Sequence, residues 1–198
     1  MLTKGLRYTV KPTLSSNKPA WLLEKHDGKM PALMHKGETL TDSLAIAEYL
    51  EKTFPHKTLT RQGAYSYQEV LEKTSGFFPS LSAFIKNKDP VQEEALHAAV
   101  EQQLDLLDEL IRSTPGQFIC GIEKTLADLY LAPQLFHATV AMDHFKDVEV
   151  LHIEGDPVRP ALEYYMGRLF DSEEFNNQKA YYSVDQVIYG WKVARGDV

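Results

Sequence analysis

A small mixed α/β unit followed by an all-helical domain is the fold class this sequence predicts. Three observations carry it. β-rich and turn-forming segments are confined to residues 1–54. Residues 55–63, from Pro55 to Gly63, are polar and read as a linker. From residue 64 to 198 apolar residues recur at steps of three and four, the spacing of one helix face.

The elements follow in order. Met1 to Lys4 reads as the last turn of a helix capped by Gly5. Leu6 to Lys11 alternates and is β-rich, so a strand is expected there. Ser15 to Lys18 is a polar loop, and Pro19 to Lys25 is a short helix with proline at its first position. Asp27-Gly28 marks a turn. Pro31 to His35 and Glu38 to Leu40 flank the two-residue turn Lys36-Gly37 and form a hairpin. Asp42-Ser43 opens a helix to about Phe54, with Leu44, Ala47 and Leu50 on one face. Beyond the linker every element is expected to be helical: Tyr65 to Asn87 as one region, Val91 to Ser113, Pro160 to Phe170, and shorter turns over Ser172 to Lys179 and Asp185 to Gly190. Thr125-Leu-Ala-Asp128 has the form of a capping box opening a buried helix to about Val140. The first unit has the order of a thioredoxin-like domain whose first strand and most of whose first helix are absent.

Bulk properties narrow the function. The 198 residues carry 21 Lys and Arg against 28 Asp and Glu, a net charge of −7. That argues against nucleic acid as a partner, because phosphate binding needs a basic face. No segment approaches the roughly 20 apolar residues of a membrane helix. The single cysteine excludes a disulfide framework, a CxxC pair and a cysteine metal cluster.

A few residues could carry chemistry. Pro31 begins a strand just after a turn. It is either a cis-proline, which would turn the Met30 N–H and C=O outward to pair with a peptide backbone, or an ordinary strand start. Asp42-Ser43 offers open N–H groups, a hydroxyl and a carboxylate at a helix start. That suits a head group bearing both a carboxylate and an ammonium, although simple N-capping explains either residue alone. Lys18 could meet a second carboxylate or be merely solvated. Cys120, among Phe118, Ile119, Gly121 and Ile122, has Lys124 nearby but Glu123 opposing it, so an inert thiol is expected. His137 and His144 lie seven apart without a third ligand, which does not make a metal site. Trp191 either covers a cleft or anchors the tail.

These passages resemble a known family. Ser16-Asn-Lys18-Pro-Ala-Trp21, Gly28-Lys-Met-Pro31, Asp42-Ser43, Phe84-Ile-Lys-Asn-Lys-Asp-Pro90, Thr125-Leu-Ala-Asp128-Leu-Tyr-Leu-Ala-Pro133-Gln-Leu-Phe-His137, Asp143-His-Phe145 and Val187-Ile-Tyr-Gly-Trp191 are similar to the glutathione transferase superfamily. Within it they resemble the dehydroascorbate reductases, with chloride intracellular channel proteins as more distant kin. The resemblance implies the glutathione transferase fold and a reaction. A cysteine thiolate reduces dehydroascorbate to ascorbate, is captured as a mixed disulfide by glutathione, and is released by a second glutathione.

Carried over by position, Lys18, Met30, Asp42 and Ser43 would bind glutathione, with Pro31 as the cis-proline. His137 and Trp191 would line the dehydroascorbate side of the cleft. Glutathione is a co-substrate, and no bound cofactor or metal is implied. The family's Cys-Pro-Phe motif would fall upstream of Met1, so no catalytic nucleophile is expected within residues 1–198. A truncated sequence, a deliberately shortened chain or a short isoform would each account for that. The alternative function is a non-catalytic module that binds glutathione or a protein. The resemblance further implies a monomer, and a cytoplasmic or plastid address.

Overall fold

Pro19 starts the first helix, α1 (Ala20–His26), and Asp27 ends it in the left-handed region at φ 52°. Leu22 is the residue this helix buries. The computed structural model describes residues 1–13, 17–153, 156–176 and 183–198. Strands β1 (Ala32–His35) and β2 (Glu38–Thr41) pair antiparallel, with Ala32 opposite Thr41 and His35 opposite Glu38. Lys36 and Gly37 connect them at φ 50° and 86°, the positive values a two-residue hairpin turn requires. Helix α2 (Ser43–Thr53) follows at once. The chain divides into two compact units, Met1–Leu59 and Thr60–Val198.

The first unit departs from expectation at its start. Residues 6–13 form no strand, and Tyr8 and Val10 are exposed. Alternation supplies β propensity, but a strand exists only where a ladder partner accepts its hydrogen bonds, and among the described residues β1 pairs with β2 alone. Residues 1–5 form hydrogen-bonded turns ending at Gly5 rather than a helix. Lys4 is 2 % exposed, and its Nζ donates to Glu51 Oε1 at 2.6 Å and to the Lys57 carbonyl at 3.2 Å. Glu51 Oε2 accepts from the Thr58 hydroxyl and the Leu59 N–H, both at 2.9 Å. This buried pair ties the chain's start to α2 and to the segment after it.

The second unit is largely helical. Its elements are α3 (Tyr67–Lys73), α4 (Phe77–Lys86), α5 (Glu93–Ser113), α6 (Leu126–Lys146), β3 (His152–Ile153), β4 (Asp156–Pro157), α7 (Pro160–Phe170), α8 (Glu173–Asn176) and α9 (Val184–Arg195). The stretch expected as one helix over Tyr65 to Asn87 is two. The Thr74 hydroxyl donates back to the Val70 carbonyl and closes α3, and α4 restarts after Gly76. Helix α6 continues six residues past Val140 to a left-handed cap at Asp147, φ 54°. Helix α9 runs to Arg195 rather than Gly190, held by the Ser183 and Gln186 capping box at one end and Gly196 at the other. Of the segment Ser172 to Lys179, residues 173–176 are helical and 177–179 lie outside the described residues, as does the loop expected at Ser15 and Ser16. The short antiparallel pair β3 and β4 corrects the all-helical expectation.

The core of this unit is one face each of α4, α5, α6 and α7: Phe77, Leu81, Ile85, Val100, Leu104, Leu107, Leu131, Leu135, Leu162 and Leu169, each at most 1 % exposed. Two buried carboxylates lock it. Asp128 accepts four hydrogen bonds: Ile119 N–H at 3.0 Å and Tyr165 O–H at 2.9 Å on Oδ1, and Thr125 N–H at 2.7 Å and Thr125 O–H at 2.9 Å on Oδ2. Asp108, on α5, caps another helix: its Oδ1 accepts from Ala161 and Leu162 N–H of α7, both at 2.9 Å. Arg159, just before α7, donates to Asp105, Glu101 and the Val150 carbonyl.

Candidate functional site

The hairpin register brings the first unit's candidates together. Ala32 faces Thr41, so the next residues outward, Pro31 and Asp42, lie at the same end of the hairpin. Met30-Pro31 is a cis peptide. The N–H and C=O of Met30 have no hydrogen-bond partner among the described residues, and Met30 is 50 % exposed. Asp42 is the N-cap of α2: its Oδ1 accepts from Leu44 and Ala45 N–H, both at 3.0 Å. The second carboxylate oxygen has no partner among the described residues. Capping and ligand binding are therefore not exclusive here, because one oxygen serves the helix and the other stays open. Ser43, the first residue of α2, is exposed.

Lys18 joins this group through Gly28. Gly28 sits at φ 69°, and a Cβ there would meet Lys18 Cδ at 3.0 Å and Lys18 Nζ at 3.2 Å. The lysine side chain thus lies across the glycine, two residues before Met30, and its ammonium makes no ion pair among the described residues. The end of the hairpin accordingly presents a cation, an open backbone N–H and C=O, a hydroxyl at a helix start and a half-used carboxylate. That set complements an extended peptide bearing carboxylates and an ammonium group.

The second unit holds a separate aromatic cluster. Trp191 Nε1–H, on α9, donates to His137 Nδ1, on α6, at 3.0 Å. Phe78 of α4 packs on both, edge-on to His137 and tilted against Trp191, with ring centroids 6.1 Å away in each case. Burial pushes the His137 imidazole below its ordinary pKa. The sequence did not single out Phe78. Its signal was the pair Phe77-Phe78: adjacent residues on a helix point in different directions, so when Phe77 fills the core, Phe78 cannot.

Cys120 is 1 % exposed, and the Thr125 hydroxyl donates to its Sγ at 3.3 Å. Burial pushes its thiol up to about 11. It lies at the wall of a groove of about 370 Å³ lined by Arg61, Gly63, Pro115, Ile122, Glu123 and Thr125 among others. An exposed Arg61–Glu123 ion pair belongs to the same groove. Among the described residues no group of three or more potential ligands could hold a metal ion, and His137 and His144 do not form one. Among them, too, no helix is long and apolar enough to cross a membrane.

The chain is similar to known proteins along nearly its whole length. The family described as glutathione S-transferase, N-terminal domain, matches residues 1–58. Glutathione S-transferase DHAR3, chloroplastic, of Arabidopsis thaliana is 30 % identical over 193 residues, covering 97 % of this chain and 69 % of its own length. The probable glutathione S-transferase DHAR1, cytosolic, of Oryza sativa subsp. japonica is 31 % identical over 196 residues, covering 95 % and 82 %. The crystal structure of Chlamydomonas reinhardtii dehydroascorbate reductase superposes with a TM-score of 0.79 at 31 % identity, over 97 % of this chain and 85 % of that one. Chloride intracellular channel protein 3 of Homo sapiens is a more distant relative, 28 % identical over 165 residues, covering 76 % of this chain and 70 % of its own length. With the glutathione transferase fold and relatives of this identity over nearly its whole length, the chain belongs to the glutathione S-transferase family, among the proteins named dehydroascorbate reductases.

Proposed function

We propose that the protein is a glutathione-dependent dehydroascorbate reductase in which Lys18, Met30, Pro31, Asp42 and Ser43 bind glutathione and His137 and Trp191 serve dehydroascorbate. The observation that carries the reading is the convergence of the first five residues on one end of the hairpin. The Met30 N–H and C=O pair with the peptide backbone of glutathione. The Ser43 hydroxyl and the N-terminus of α2 receive the γ-glutamyl carboxylate, the open oxygen of Asp42 accepts from its ammonium, and Lys18 meets the glycyl carboxylate. In the overall reaction two glutathione thiols lose two electrons and join as a disulfide. Dehydroascorbate takes up those electrons and is released as ascorbate.

Cys120 does not supply the thiolate for this chemistry, because its thiol is buried and pushed up to about 11. That observation favours a second reading, in which the chain by itself is a non-catalytic glutathione-binding module. Titration calorimetry with glutathione tests the shared element. Binding is expected, and Ser43→Ala is expected to weaken it roughly tenfold, the worth of one charge-assisted hydrogen bond. No heat from the folded chain would sink both readings. Ascorbate formation then separates them. Little turnover is expected of residues 1–198 alone, whereas turnover that Cys120→Ala abolishes would identify that thiol as the nucleophile. The family includes chloroplastic and cytosolic members.

A further inference from the structure

We propose that Gly28 is a positioning residue that sets ligand specificity. Its bare Cα is a cradle that holds the Lys18 side chain against the turn after α1, and the ammonium fixed there selects a tripeptide with a free C-terminal carboxylate over the same peptide ending in an amide. The selectivity rests on the reading of the first unit as a glutathione site, while the cradle itself does not.

Lys18 precedes the N-cap of α1 and Gly28 follows its C-cap, so the contact between them joins the two ends of the helix. Asp27 and Gly28 both take left-handed backbone, at φ 52° and 69°, and the Gly28 N–H donates to the Leu22 carbonyl at 2.9 Å. Such an angle does not by itself demand glycine, because Asp27 adopts it one residue earlier. Space does demand it. A Cβ on Gly28 would stand 3.0 Å from Lys18 Cδ, 3.2 Å from Lys18 Nζ and 3.2 Å from Leu23 Cδ2. Those separations are closer than non-bonded atoms rest, so the flexible lysine would swing away.

Burial agrees with this. Gly28 is buried although its neighbours Asp27 and Lys29 are exposed. Lys18 is half-buried, whereas Lys25 and Lys29 stand in solvent. The Lys18 stem therefore covers the glycine and leaves its ammonium without an ion pair among the described residues. A solvated lysine loses rotamer freedom when it meets a ligand. One already laid on Gly28 has lost it beforehand, which favours binding.

Nuclear Overhauser contacts between the Gly28 α protons and the Lys18 side-chain protons read the cradle without a ligand. They are expected in the parent chain, and their absence overturns the proposal. Calorimetry then compares glutathione with its C-terminal glycinamide analogue, which lacks only that carboxylate. The parent is expected to prefer glutathione roughly three- to tenfold, the worth of one hydrogen bond. In Gly28→Ala that preference is expected to fall towards one, through weaker binding of glutathione and not of the amide. Gly28→Ala combined with Lys18→Ala should lose no more affinity than Lys18→Ala alone. Gly28→Asn separates space from backbone strain. Asparagine accepts left-handed backbone, so its urea midpoint should exceed that of Gly28→Ala, but its Cβ should abolish the preference equally. A preference that survives Gly28→Ala, or that Gly28→Asn restores together with stability, overturns the proposal. So does a parent that binds both ligands equally. A parent that binds neither sinks the glutathione reading and the selectivity with it, and the Overhauser contacts alone then decide the cradle.

Discussion

Cys120 and Lys18 are both polar side chains near a backbone turn, and their environments give them opposite chemistry. The Cys120 thiol is buried, accepts from the Thr125 hydroxyl at 3.3 Å and is pushed up to about 11. A thiol-reactive disulfide reagent at pH 8 is expected to leave it unmodified in the native chain and to modify one equivalent in denaturant. Stoichiometric reaction without denaturant would contradict this burial. Lys18 lies across Gly28 with its ammonium unpaired among the described residues. Lys18→Ala is expected to weaken glutathione binding by roughly three- to tenfold while leaving the urea midpoint unchanged, since an unpaired surface lysine adds little to folding. Calorimetry and chemical denaturation on the same sample separate those effects. The identity of these residues was legible in the sequence. The division of labour between the two Asp42 oxygens was not, because capping and ligand binding look like rival explanations until both oxygens are placed.

Helix α6 is the element on which the second unit depends most visibly. Its cap was readable from Thr125-Leu-Ala-Asp128, where a threonine three residues before a carboxylate satisfies the open N–H groups reciprocally. The sequence did not show that Asp128 would also receive Ile119 N–H and Tyr165 O–H, contacts made across the unit. Burial pushes the Asp128 carboxyl up against four donors that pull it down, and burial together with the neighbouring Asp128 holds the Tyr165 phenol protonated. Asp128→Ala is expected to destabilise the protein by about 3 kcal/mol, because it removes a cap and strands two further donors. Tyr165→Phe should cost about 1 kcal/mol. Urea denaturation measures both, and equal effects would refute the assignment of several independent bonds to Asp128. Cap chemistry also explains why two helices outrun the boundaries read from the sequence. Asp147 and Gly196 end α6 and α9 in left-handed caps beyond Val140 and Gly190, and the added turns extend the buried faces through Ala141 and Met142 in α6 and Trp191 in α9.

Across the whole chain, charge and burial are unevenly divided. Residues 1–59 carry nine Lys and Arg against six Asp and Glu, a net +3, whereas residues 60–198 carry twelve against twenty-two, a net −10. A locally cationic unit suits an anionic peptide despite the overall charge of −7. Glutathione affinity is therefore expected to fall severalfold between low and high salt, read by calorimetry, and a salt-independent constant would argue against electrostatic capture. The same unit contains the Lys4–Glu51 pair. Burial alone would raise the Glu51 carboxyl, but the Lys4 ammonium, the Leu59 amide and the Thr58 hydroxyl outweigh it and hold it below its ordinary value. A carboxylate whose folded value is depressed contributes stability above its unfolded value, and that contribution is lost as pH falls through the folded one. The stability difference between the parent and Glu51→Gln is thus expected to be greatest near neutrality and to shrink as pH falls below the ordinary carboxylate range. A difference that stays constant with pH would show that the pair is not what Glu51 contributes.

The sequence by itself determined the two-part architecture, the hairpin, most helix starts and the identity of the candidate site residues. Those features rest on local chemistry: turn residues, caps and apolar period. Only the tertiary structure decided that Leu6 to Lys11 is not a strand, that Lys4 is buried on Glu51, and that Lys18 reaches the hairpin end across Gly28. It alone decided that Trp191 commits its one donor to His137. Each depends on which distant group answers a hydrogen bond or a charge, and spacing along the chain does not encode that partner.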